Sequence, residues 1–131
     1  IPALAISLTS KRGAHYQTAA QVALDLVQRH RQQAFAAPML LNVNVPDIPY
    51  AELQGIEITR LGRRHKAEGM VKAENPRGET VYWIGAAGAA QDAGPGTDFY
   101  ATARGAVSLT PLQIDLTAYT QTDLLKDWLA R

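Results

Sequence analysis

Ile1-Pro2-Ala3-Leu4-Ala5-Ile6-Ser7-Leu8 opens the chain as a nearly continuous apolar run, and Leu41-Asn42-Val43-Asn44-Val45-Pro46 forms a second, alternating run downstream. Short apolar runs bounded by turn residues read as strands. The first has the character of a strand buried on both faces of a parallel sheet, which needs neighbouring strands and covering helices. The second alternates apolar and amide side chains, as a strand with one polar face does, and Pro46 ends it. Between them, Thr9-Ser10-Lys11-Arg12-Gly13 is a polar turn that leads from the first strand, while Pro38 precedes the second. Tyr16, Ala19, Ala20, Ala23, Leu26 and Val27 recur at helical spacing and predict a helix over about residues 15 to 31. Strand, helix, strand is a βαβ unit, expected to have parallel strands and a right-handed crossover. The fold class is therefore α/β.

The second half changes character. Gly55 to Leu61 alternates as another strand, and Asn75-Pro76-Arg77-Gly78 is a turn in which Pro76 presets φ at the second position. A β-hairpin with Tyr82 and Trp83 on its return arm is expected, reaching for another subunit or packing on its own domain. Gly85 to Gly96 reads as a flexible loop by composition. Thr97 caps a short helix that Gly105 stops, Val107 to Thr110 is a further strand running loosely through Pro111 to Leu116, and Thr120 with Asp123 resembles a capping box. Leu124, Leu125, Trp128 and Leu129 form the stripe of a final helix, expected to pack.

With 131 residues, 47% of them hydrophobic, the chain is in the single-domain range. A formal net charge of +1 gives no field to gather nucleic acid or coat an anionic membrane, so neither is an expected partner. No apolar run approaches the roughly 20 residues of a membrane span, and the absence of cysteine excludes thiol chemistry. A soluble, cytoplasmic protein is expected. The chain opens without Met or a signal-type segment and on a strand that calls for neighbours, so it is read as a piece of a larger protein.

Local chemistry is sparse. His15, His30 and His65 stand far apart, and Asp92, Asp98, Asp115, Asp123 and Asp127 show no metal-ligand spacing. Asp98, beside a glycine-rich stretch and next to a capping Thr, is either structural or faces a pocket. Arg60, Arg63, Arg64, His65 and Lys66 follow a strand, where cations receive a phosphate or an acidic surface, or simply line a solvated loop. The glycines match neither a P-loop nor a dinucleotide fingerprint, and Ser7, Ser10 and Ser108 lack a nucleophile elbow.

Several segments in order carry a resemblance: Ile1 to Leu8, Leu41 to Pro46, Ile58-Thr59-Arg60-Leu61-Gly62, Tyr82-Trp83-Ile84-Gly85, Thr97-Asp98-Phe99-Tyr100-Ala101, Gly105 to Leu112 and Asp115-Leu116-Thr117. Together they resemble the C-terminal half of the SurE survival-protein family of 5'/3'-nucleotidases, over essentially the whole chain. The resemblance implies a Rossmann-like sheet with a protruding hairpin arm over residues 62–90 and a C-terminal helix. It implies metal-dependent hydrolysis of nucleoside monophosphates, with a Mg or Mn type ion. The family's metal ligands would all lie before Ile1, so no catalytic, cofactor or metal residue is carried onto this chain, and Asn42 and Asn44 do not substitute for them. Arg63, Arg64 and His65 would border the substrate cleft. Tyr82, Trp83 and Trp128 would lie at the interface of a homo-oligomer, a dimer or tetramer, as would the segment from about 105 to 131. The alternative reading is a non-enzymatic oligomerisation or interaction module.

Overall fold

The computed structural model describes residues 2–10, 12–37 and 39–129. Ile1 at the head of the first strand, Lys11 in the turn, Pro38 before the second strand, and Ala130 and Arg131 lie outside the described residues.

The βαβ unit consists of β1 (Ala3–Leu8), α1 (Tyr16–Gln32) and β2 (Leu40–Val45), with β1 and β2 parallel from Ala3↔Leu40 to Leu8↔Val45. Next come β3 (Ile56–Ile58), β4 (Arg63–Arg64), β5 (Val71–Glu74), β6 (Thr80–Trp83) and β7 (Ala90–Asp92). The last elements are α2 (Asp98–Ala103), β8 (Val107–Leu112) and α3 (Thr122–Leu129). The main sheet has the order β1-β2-β8-β3; β8 runs antiparallel to β2 and parallel to β3. The architecture is mixed α/β.

The sheet has two unlike faces, set by strand alternation. On one, Leu41, Val43, Val45 and Val107 are buried with Val22 of α1, and Leu4, Ile6, Leu8, Leu26 and Leu109 pack around them. The helix face that meets the sheet is Thr18, Ala19, Val22 and Leu26, whereas Tyr16 and Val27 of the expected stripe are exposed. Thr18 is buried without penalty because its hydroxyl donates to the Ile48 carbonyl at 2.8 Å.

The opposite face is polar. Ser7, Asn44, Ser108 and Glu57 stand in register across the four strands, and Asn42 stands opposite Thr110 in the next row. Buried Thr59 bridges this face, its hydroxyl 3.3 Å from Ser108 Oγ and 2.6 Å from Thr110 Oγ1. Among the described residues β1 is at the sheet edge, its Leu4, Ile6 and Leu8 side covered and Ala3, Ala5 and Ser7 exposed.

Residues 63–92 leave the sheet as antiparallel ladders. β5 pairs with β6 around the Asn75–Gly78 turn, where the Asn75 side chain accepts the N–H groups of Arg77 and Glu79. β4 pairs with β7, and His65 and Glu68 donate to the carbonyls of Ala89 and Ala86. The stretch from Gly85 expected as a flexible loop is thus in part a return strand. Its small residues have a steric reason: a Cβ on Gly85 would collide with the backbone of Glu68 and Gly69, and one on Gly88 with that of His65 and Lys66.

The final helix also departs from expectation. A 3-10 turn, Tyr119–Gln121, takes up Thr120, and α3 follows with none of its residues buried. Its stripe forms as the spacing predicts, yet Trp128 is 70% exposed, as no described element covers it.

Candidate functional site

A cavity of about 350 Å³ opens on the polar face, beside the end of β1. Asn42 and Asn44 of β2 form its floor, Thr9 follows β1, Phe99 and Thr102 come from α2, and Asp98 and Arg64 complete the wall. Ligands of open α/β sheets commonly bind beyond the carboxyl ends of parallel strands, and Thr9 is the first residue past such an end.

Local sequence sets each wall. Thr97 is the α2 cap: its hydroxyl accepts the Tyr100 N–H at 3.2 Å and donates to the Gly94 carbonyl at 2.7 Å. Asp98 follows, its Oδ1 accepting the N–H of Gly62 at 2.8 Å and of Phe99 at 2.9 Å. Asp98 is thus both structural, tying β4 to α2, and pocket-facing. At the base of the ladder Arg60 grips Asp92 through two bonds of 2.6 and 3.0 Å, and this guanidinium holds the Asp92 carboxyl below the usual carboxylate range.

The cation cluster separates in three dimensions. Arg64 enters the cavity wall, its guanidinium 4.9 Å from the Phe99 ring centroid and donating to the Gly88 carbonyl at 3.2 Å. Arg63 lies across from Asp92 in the ladder and His65 pairs with the return strand, and neither is a lining residue. Asn42 and Asn44 are functional-site candidates that the sequence reading set aside; two half-buried amides on one face of an interior strand were the signal. Tyr82 and Trp83 are 62% and 65% exposed on the hairpin, far along the chain from Trp128.

A second, open depression lies at the start of α1 between His15 and Tyr50. Two of its polar groups are engaged within the chain, His15 with Asp47 and the Tyr50 hydroxyl with Asp25 at 2.5 Å. The Tyr50 bond lowers the Asp25 pKa and raises that of Tyr50. Among the described residues no group of three or more His, Cys, Asp or Glu side chains is arranged to hold a metal ion. No described helix is long and apolar enough to cross a membrane.

Comparison with known proteins agrees with the fold. A family model described as survival protein SurE matches residues 1–68. A Nitrosomonas europaea protein named 5'-nucleotidase SurE is 60% identical over 98% of this chain and 52% of its own length. The protein of that name from Methylobacillus flagellatus is 53% identical over 99% of this chain and 53% of its own length. The crystal structure of the SurE protein from Aquifex aeolicus matches with a TM-score of 0.76 and 36% identity, over 100% of this chain and 52% of the other. The chain spans about half the length of the curated relatives it matches. On sequence and fold together, it belongs to the SurE family.

Proposed function

We propose that this chain is the C-terminal part of a 5'-nucleotidase that hydrolyses nucleoside monophosphates to nucleoside and phosphate. The observation that carries the reading is the identity, over nearly the whole chain, to proteins named 5'-nucleotidase SurE. The cavity beside β1 supports it: Arg64 offers a forked cation for phosphate, and Asn42, Asn44 and Thr9 offer neutral hydrogen-bonding groups beside it. Arg64 binds and orients the substrate. Arg63 and His65 flank Arg64 in the chain without lining the cavity. A divalent ion of the Mg or Mn type would polarise the phosphate and supply the nucleophile, on ligands outside this chain.

Residues 62–90 and the C-terminal helix supply oligomerisation surface in a cytoplasmic homo-oligomer. The exposed aromatics Tyr82, Trp83 and Trp128 support that role, since large exposed apolar side chains grouped on projecting elements mark protein contacts. A purely non-enzymatic module would have the same surfaces without turnover.

The test is hydrolysis of a nucleoside monophosphate by the protein at its natural length, with and without Mn²⁺ or Mg²⁺, alongside intact mass. Metal-dependent release of phosphate, with KM raised in Arg64→Ala, is the expected result. No turnover in any metal supports the interaction module, and unchanged KM and kcat in Arg64→Ala remove Arg64 from the cleft.

A further inference from the structure

We infer that Phe99 is a positioning residue, which holds the Arg64 guanidinium in the wall of the cavity so that its free donors meet the substrate phosphate. The inference rests on the reading of Arg64 as a phosphate ligand. It adds how that side chain, mobile by nature, is kept in place.

Four features converge on Arg64. Pairing of β4 with β7 slips there: Arg63 is opposite Asp92 but Arg64 is opposite Ala90, so Gln91 is passed over. The extra residue lies on β7, which bends there against Arg64, and bulges of this kind concentrate beside functional sites. The guanidinium then lies 4.9 Å from the Phe99 ring centroid, within reach of its negative face. A single carbonyl, that of Gly88, fixes one edge at 3.2 Å, and four of the five guanidinium N–H donors remain after that bond. Finally, Phe99 is itself seated by Gly62: a Cβ there would collide with the Phe99 ring and the Asp92 carbonyl. Asp98 locks this seat by accepting the N–H groups of both Gly62 and Phe99. A cation held by a ring face and a neutral carbonyl is in no direct ion pair, although the Asp98 carboxylate, engaged by the Gly62 and Phe99 N–H groups, shares the cavity wall. Arg60, gripped by Asp92, shows the other arrangement four residues earlier.

The experiment compares the protein at its natural length with three substitutions: Phe99→Leu, Arg64→Ala and the two combined. A fourth form carries a trifluorinated phenylalanine at position 99, which keeps the ring's shape and removes its negative face. KM and kcat for a nucleoside monophosphate, inhibition by inorganic phosphate and thermal melting are measured for each. The fluorinated form and Phe99→Leu are expected to weaken phosphate inhibition and raise KM about two- to fivefold, with kcat less affected and the fluorinated form melting as the parent does. With Arg64 already replaced, Phe99→Leu is expected to add nothing. Equal effects of Phe99→Leu with and without Arg64, or unchanged phosphate inhibition in the fluorinated form, overturn the inference while leaving Arg64 as a ligand. If instead Arg64→Ala changes neither KM nor phosphate inhibition, the cleft reading fails first and the positioning role falls with it. Should Phe99→Leu not fold, the fluorinated form decides alone.

Discussion

Asp47 Oδ1 accepts the backbone N–H of His15 at 2.7 Å and lies 3.1 Å from Nδ1 of the same residue's ring, so one carboxylate fixes both the entry to α1 and the orientation of the side chain that precedes it. The N–H of Ala14 also points at this carboxylate, at 3.0 Å. The His15 backbone bond is the main cause that lowers the Asp47 carboxyl to about 2.

Because the folded pKa of Asp47 lies below its unfolded value of about 3.9, its contribution to stability is complete above that value. It is lost as pH falls toward about 2. Asp47→Asn is expected to melt below the parent at pH 6, with the gap closing between about pH 4 and about pH 2. Asp115, held near 2 chiefly by the Tyr119 hydroxyl, adds a parallel acid sensitivity, so the variant retains part of the slope. A melting series across that range checks it; a gap independent of pH contradicts it.

Gly85→Ala and Gly88→Ala should each force the two strands of the arm apart, since the added methyl meets backbone rather than a movable side chain. Gly69→Ala and Gly94→Ala, where a Cβ meets nothing within 4 Å, are the controls and should melt like the parent. Limited proteolysis between residues 63 and 92 reads the difference, with faster cleavage in the first pair only.

Thr97→Ala removes both bonds of a fully buried hydroxyl at the start of α2 and leaves the Tyr100 N–H unpaired. A loss of about 1–2 kcal/mol is expected in denaturant unfolding. Thr97→Ser, which keeps the oxygen, should recover most of it.

Replacing Trp83 and Trp128 with Ser tests the oligomer surfaces. Both side chains are more than half exposed in this chain, so unfolding of an isolated subunit should change by no more than about 0.5 kcal/mol each. The assembly mass from light scattering should fall. Unchanged mass in the double variant removes these aromatics from the interface.

What could be read from sequence follows from where the information resides. The βαβ unit was legible because periods of 2 and 3.6 are local, and the caps at Thr97 and Asn75 because turn chemistry is local too. Val22 went unremarked, although it is the deepest side chain of α1, because burial depends on which side of the helix meets the sheet. The stripe of α3 was legible, but its exposure was not, since a helix pattern specifies an apolar side and not the surface that covers it. Glycine content made residues 85–88 read as flexible, whereas here glycine is the condition for two strands to approach. Arg63, Arg64 and His65 are equivalent as a charged run; only the folded chain places Arg64 in the cavity wall against Phe99.

The alternation of β2 divides the consequences of mutation by parity. Odd positions 41, 43 and 45 are buried against α1, and shortening any of them leaves a void; even positions 42 and 44 face the cavity and can change without emptying the core. In a saturation-mutagenesis map scored separately for abundance and turnover, the five consecutive residues 41–45 should therefore read as two interleaved columns. Selection for a new substrate can sample the even column almost freely, while the odd one stays under constant purifying pressure from folding.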